Sequence, residues 1–242
     1  MKAQKGIKSV LSLFLSVFLF GNCSTSEDRV ISYRIEDLPL DSVPTEIWFP
    51  ESFAVNTNHM VSMQDMLCLV RPNEESLVYF IDEKTGKEIG YFGGVGQGPA
   101  DMYLPQFAGK SSAGDTIILH DFNARNFKAF TIAKKDTTLL FKFAYKKQIA
   151  HPEVDGASCG FDAICRLDNG YYVCIAYLGV DKFYTLLDKD LNTVTVYGDY
   201  PLREFGEDKK ALKEHTSFQG TLASHGNSAF YGATRFGYMS RY

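Results

Sequence analysis

The chain has 242 residues, 45% hydrophobic and 14% aromatic, with 25 basic and 29 acidic side chains and a formal net charge of −4. That composition supplies a globular core, and its slight acidity argues against a nucleic-acid partner, which needs a basic surface. Nineteen Phe and fourteen Tyr favour strands and large buried interfaces.

Lys2, Lys5 and Lys8 precede Val10–Phe20, an uninterrupted run of apolar residues and serine. A bilayer span takes roughly 20 apolar residues, so this shorter run reads as the core of a signal peptide. It ends in Phe20-Gly21-Asn22-Cys23, followed by polar residues. The stretch resembles a bacterial lipoprotein signal, in which cleavage leaves the cysteine as the acylated first residue. Gly21 fits the small-residue requirement, whereas Phe20 and Asn22 depart from the strictest pattern. The alternative is a plain secretory signal with Cys23 as a bystander. The expectation is a signal peptide over 1–22, a lipidation site at Cys23 and a polar tether over 23–44. The membrane is then a partner through the lipid anchor, because several acyl chains hold stably where one is marginal.

From about Thr45 the texture changes to short apolar runs separated by turn residues. Ser76–Ile81 and Lys87–Phe92 read as strands around the turn Asp82–Gly86. Next comes FGGVGQGPAD over 92–101. Gly93 and Gly98 have Walker-type separation, but Pro99-Ala100 stands where Lys and Ser or Thr belong. The dinucleotide pattern fails as well, because proline occupies the place of its last glycine. The plain reading is a sharp turn between two units, with glycines supplying positive φ and Pro99 fixing the exit. Such a loop can also line a ligand funnel, and Gln97 and Asp101 are then its polar contacts.

Strands follow at Thr116–His120, Phe127–Ile132 and Leu139–Phe143, with a turn at Asp121–Arg125. Ile164–Leu167 and Tyr171–Tyr177 read as a hairpin around Asp168-Asn169-Gly170, and Tyr184–Leu187 with Thr193–Tyr197 as another. Glu207–His215 has the texture of a helical turn or two. Past Cys23 the cysteines are Cys68, Cys159, Cys165 and Cys174, none with zinc-like spacing. A two-residue Asn169-Gly170 turn, the favoured type I′ pair, sets Cys165 opposite Cys174. That is a candidate disulfide, with Cα atoms roughly 4.5 Å apart. Two buried thiols are the alternative, and a turn at Asp168-Asn169 would abolish the pairing.

The units repeat. Phe92-Gly93 and Tyr197-Gly198 end strands of the same character, 105 positions apart, and Leu139–Phe143 ends a similar unit between them. A period of about 50 residues with four strands per unit is the arithmetic of a propeller blade. Asp121-Phe-Asn123-Ala-Arg125, then Phe130, resembles the pattern of NHL-type repeats. The stretch from Phe92 to Asp101, followed by Tyr103 and Pro105, resembles the GQGP element of Bacteroidetes six-bladed β-propeller lipoproteins, often described as TolB-like. The resemblance covers about residues 45–242. It implies a propeller fold and an envelope location, and no particular reaction.

Other candidates are weaker. His120 and Asp121 are consecutive in a strand and point to opposite faces, so they do not easily share a metal. His59, His151, His215 and His225 are scattered, and no nucleophile elbow, HExxH or EF-hand pattern occurs. The sequence therefore leads to an all-β chain, a β-propeller of four-stranded antiparallel blades over 45–242. It is expected to be incomplete, with about four of six blades, because a six-bladed ring takes roughly 300 residues. The expected function is a lipid-anchored, non-catalytic envelope module, placed at the outer membrane, that binds a glycan, peptide or protein. No cofactor, metal site or catalytic residue is assigned. The alternative is a propeller hydrolase or lyase with an axial His/Asp/Arg site.

Overall fold

The computed structural model describes residues 31–34, 57, 59–72, 75–136, 138–149, 153–154, 157–158, 160–176, 182–199, 220–233 and 238–241. The first strand, β1 (Ile31–Arg34), belongs to the last sheet. The first blade is β2 (His59–Met63), β3 (Met66–Val70), β4 (Val78–Asp82) and β5 (Glu88–Phe92). The second is β6 (Pro105–Lys110), β7 (Thr116–Asp121), β8 (Asn126–Lys135) and β9 (Thr138–Gln148). A small pair, β10 (Glu153–Val154) and β11 (Ala157–Ser158), leads to the third: β12 (Phe161–Arg166), β13 (Tyr172–Ala176), β14 (Tyr184–Leu187) and β15 (Thr193–Tyr197). The fourth is β16 (Gly220–His225), β17 (Ser228–Ala233) and β18 (Tyr238–Arg241), with β1 outermost. All neighbours pair antiparallel, and the sheets form a four-bladed β-propeller.

Why the blades stack follows from their middle strands. Met66–Val70 and Tyr172–Ala176 are buried at every position, the mark of a strand covered on both faces. In blade one, Cys68, Val70 and Phe80 face blade two, against Ile117, Leu119 and Phe130. Their neighbours Leu67, Leu69 and Ile81 form a separate cluster, as the period of two requires. Ile118, Phe127 and Ala129 pack on Phe161, Ile164 and Tyr172 between blades two and three. Val173, Ile175 and Tyr184 pack on Leu222, Ala229 and Tyr231 between blades three and four.

The internal repeat is borne out at the backbone. Gly93 and Gly198 both take positive φ (80° and 72°). Each carbonyl accepts the N–H of the residue just before its blade's third strand, Leu77 at 2.9 Å and Phe183 at 3.0 Å. The acidic turns are local structures. The Asp82 carboxylate accepts the Thr85 N–H at 2.8 Å, and that of Asp188 accepts the Asn192 N–H at 2.8 Å.

Two expectations are corrected. The tether expected over 23–44 contains a strand, because β18 pairs on one side with β17 and on the other with β1, Ile31↔Arg241 through Arg34↔Tyr238. Ile31-Ser32-Tyr33-Arg34 alternates apolar and polar residues, but the stretch is short and its partner lies 204 positions away.

The second correction concerns the disulfide. The loop is Asp168-Asn169-Gly170, closed by Leu167 N–H to Tyr171 O at 2.8 Å, with Gly170 at φ +90°. Such a three-residue loop ends in a left-handed glycine. The register becomes Ile164↔Cys174 and Cys165↔Val173. A one-residue slip moves side chains to opposite faces, so Cys165 enters the core between blades three and four and Cys174 the core between two and three. Both are free thiols. Burial pushes the Cys165 thiol up to about 12 and Cys174 well above its ordinary value. The longer loop reaches the fourth blade: Asp168 N–H donates to Gly226 O and Asn169 N–H to Asn227 Oδ1, both at 2.9 Å.

Deleting residues 31–34 is expected to uncover the β18 edge, lower the melting temperature by roughly 5–10 °C and promote self-association. Thermal melts and size-exclusion chromatography check this; an unchanged melting temperature would count against a closing role for β1.

Candidate functional site

The inner strands β2, β6, β12 and β16 surround the axis. Cross-blade bonds join their like ends. Lys110 Nζ donates to Ser62 O at 3.0 Å, and Arg166 Nη1 donates to Lys110 O at 3.1 Å. At the opposite ends Gln106 Nε2 donates to Asp162 O at 3.1 Å, and Gly220 N–H donates to Asp162 Oδ2 at 3.4 Å. Burial raises the Asp162 carboxyl above its usual range. Gly109 permits the close approach of β6 and β12, since a Cβ there would meet the Arg166 Cβ at 2.4 Å.

Between these strands lies a cavity of about 550 Å³. Its apolar wall is Met60, Val61, Phe107, Ile164 and Leu222. Ser111, Ser112, Thr221 and Ser224 supply hydroxyls, and His59, Lys110, Arg166 and Asp168 the titratable groups. Burial holds the His59 imidazole below its ordinary value, so it is neutral at neutral pH. The size and mixture suit a small-molecule or side-chain ligand.

The glycine run lies elsewhere. It connects β5 to β6 and wraps around one carboxylate. Asp101 accepts the N–H of Gly94 at 3.3 Å and of Gly98 at 3.1 Å. Met102 N–H closes the loop on Gly94 O at 2.9 Å. A Cβ at Gly96 or Gly98 would sit 2.8 or 2.6 Å from Asp101 Oδ2. Lys128, buried on β8, donates to Gly98 O at 3.0 Å and to Asp101 O. Gln97 is exposed at the loop surface, and neither Gln97 nor Asp101 lines the axial cavity.

His120 and Asp121 are also placed. The buried Asp121 carboxylate accepts the N–H groups of Tyr103 (2.9 Å), Leu104 (3.2 Å) and Ala124 (3.3 Å). It shapes a turn, as its position in the sequence suggests. His120 meets Gln106 Oε1 through Nδ1 at 3.1 Å and packs against the rings of Phe127 and Phe161. His225 ends β16. Cys23, Cys159, His151, His215 and the helical turn expected at 207–215 lie outside the described residues. Among the described residues no three His, Cys, Asp or Glu side chains are grouped to hold a metal ion. Sequence reading missed Lys110 and Arg166. Both end the inner strand of their blade, so aligning the repeats by strand would have brought them together.

No family model matches the chain, and no curated protein matches it. Solved structures do. One is a protein of Bacteroides fragilis described as exported, 14% identical with a TM-score of 0.53, over 85% of this chain and 49% of that one. A calcium-binding regucalcin of Agrobacterium tumefaciens is 12% identical, with a TM-score of 0.46, over 76% of this chain and 60% of its own. A gluconolactonase of Xanthomonas campestris is 11% identical, with a TM-score of 0.47, over 81% and 60%. The Bacteroides protein supports the fold alone, and the chain spans about half its length. The last two bear on nothing further. The chain is a four-bladed β-propeller with a mixed polar and apolar cavity on its axis.

Asp101→Ala removes the acceptor of two loop N–H groups. The expected loss is about 2–3 kcal/mol of unfolding free energy, read by urea denaturation. An unchanged midpoint would mean that backbone bonds alone hold the loop.

Proposed function

We propose that this propeller is a lipid-anchored, non-catalytic binding module of the cell envelope, taking a glycan, a peptide or a protein side chain into its axial cavity. One observation carries the reading: inner strands of all four blades converge on a cavity of about 550 Å³ whose lining combines Phe107, small hydroxyl residues and few titratable groups. Binding sites of this kind fix orientation with a few polar groups on an apolar wall. The lipoprotein-like stretch ending at Cys23 supports the envelope address. The TolB-like and outer-membrane assignments rest on the resemblance of the GQGP element. In this reading Asp101 acts through the shape of its loop, and Gln97 is a second, peripheral contact.

The catalytic alternative has one observation in its favour. His59, Arg166 and Asp168 all line the cavity. A hydrolase or lyase needs an acid and a base in opposed states, and His59 and Asp168 are the lining residues that would divide those roles.

Ala223 stands on the cavity wall with its side chain exposed. Ala223→Trp fills the space and is expected to weaken binding at least tenfold, or about 1.4 kcal/mol, for whatever ligand a glycan array and peptide library identify. Calorimetry checks it. Full affinity in the variant would place the ligand elsewhere, and turnover of a captured ligand would favour the catalytic reading.

The anchor is tested separately. Growth with an alkyne fatty acid should label the wild-type chain and leave Cys23→Ala unlabelled and released from membranes. A mature N-terminus that starts elsewhere, without lipid, would remove the anchor from the proposal.

A further inference from the structure

The second blade differs from the others in its outer hairpin. Its strands β8 and β9 have ten and eleven residues, whereas every other blade strand has four to six. Pairing of β7 with β8 ends at Thr116↔Thr131, while β8 and β9 continue to pair as far as Lys135↔Thr138. The hairpin thus projects beyond its sheet. Among the described strands, β9 pairs with β8 alone and forms the outer edge.

Its charge is also unlike the rest. Residues 126–148 hold six lysines and one aspartate, a net +5, in a chain whose total is −4, which leaves −9 elsewhere. Lys128 and Lys134 are used inward, on the glycine loop and on Asp82. Lys135, Lys142 and Lys146 are exposed. Between them stand three large apolar side chains that also face solvent: Leu140 (47% exposed), Phe141 (45%) and Tyr145 (41%). The register assigns Leu140, Lys142 and Tyr145 to one face of the strand and Phe141, which stacks on Phe92 at 4.7 Å, to the other. Because β9 is the edge, both faces present themselves to one outside surface.

We infer that this edge docks on an anionic lipid surface, with Leu140, Phe141 and Tyr145 at the acyl boundary and Lys135, Lys142 and Lys146 on headgroup phosphates. Lysines flanking exposed apolar residues suit an interface, where long stems lie in the apolar layer and ammonium groups reach the phosphates. An acidic polysaccharide would match the lysines but leaves the aliphatic Leu140 without a purpose. A second copy joined edge to edge would set lysine against lysine. The contact is independent of acylation at Cys23 and of the axial cavity. It adds a second, electrostatic attachment beside the lipid anchor.

The test uses the full chain carrying Trp48→Phe and Phe141→Trp, so that one indole reports the position of the edge whatever the N-terminus does. Phosphatidylglycerol vesicles with brominated acyl chains should quench and blue-shift its emission; phosphatidylcholine vesicles should not, and high salt should reverse the effect. Adding Lys142→Glu and Lys146→Glu should lower the fraction of chains with the edge seated on the bilayer, read from the quenching, roughly tenfold or more. In the unmodified chain, amide exchange over 138–148 should slow on phosphatidylglycerol alone, a readout that needs no substitution. Equal quenching by both lipids, unchanged exchange, or the same shift produced by soluble polygalacturonate would overturn the proposal.

Discussion

The middle strands β3 and β13 are apolar on both faces, and a single four-stranded sheet cannot bury both. Leu67 and Cys68 are adjacent in β3, point to opposite sides and are both buried. Tyr172 and Val173 do the same in β13. Burying a large apolar side chain is worth about 1.5–3 kcal/mol, so the chain is stable only where each sheet lies between others. Twisted sheets stacked face to face cannot stay in a line, because each is rotated relative to the last. They fan around an axis, and the inner strands come together there.

That crowding shapes the cavity. Ala108, Gly109, Ser111, Ala223 and Ser224 line it, and their small side chains leave space where bulkier ones would close the axis. Long side chains from the strand ends then brace one blade on the next, as Lys110 does on Ser62 and Arg166 on Lys110. Both cations are held by carbonyl oxygens across blade boundaries, which makes the rim of the cavity part of the blade packing.

The glycine loop belongs to the same logic. It must carry the chain from the outer strand of one blade to the inner strand of the next. It does so by folding around Asp101, with Lys128 beneath it. The loop is not part of the cavity lining, yet it delivers β6, and with it Phe107 and Lys110, to the axis. Bulges recur in the outer pairs of three blades, at Phe80/Ile81, Ala129/Phe130 and Leu186/Leu187. Each adds twist where the sheet is widest.

Much of this architecture was legible in the residues alone. Alternation and short turns marked the strands, as at Tyr184–Leu187 and Thr193–Tyr197, whose observed bounds are those read from the sequence. Aspartates marked the turns, and the spacing of Phe92-Gly93 and Tyr197-Gly198 marked the repeat. These are local signals, written by side-chain period and by backbone positions that few residues tolerate. The remainder was set by contacts distant in sequence. The hairpin at Asp168-Asn169-Gly170 took the register that lets its loop bond the fourth blade, and that sent Cys165 and Cys174 into different cores. Ile31–Arg34 became a strand because β18 offered it an edge. The cavity came from four strands of four blades that share no local pattern in the chain. Short-range sequence specifies which segments are strands; which side chains meet at the axis depends on how the sheets pack on one another.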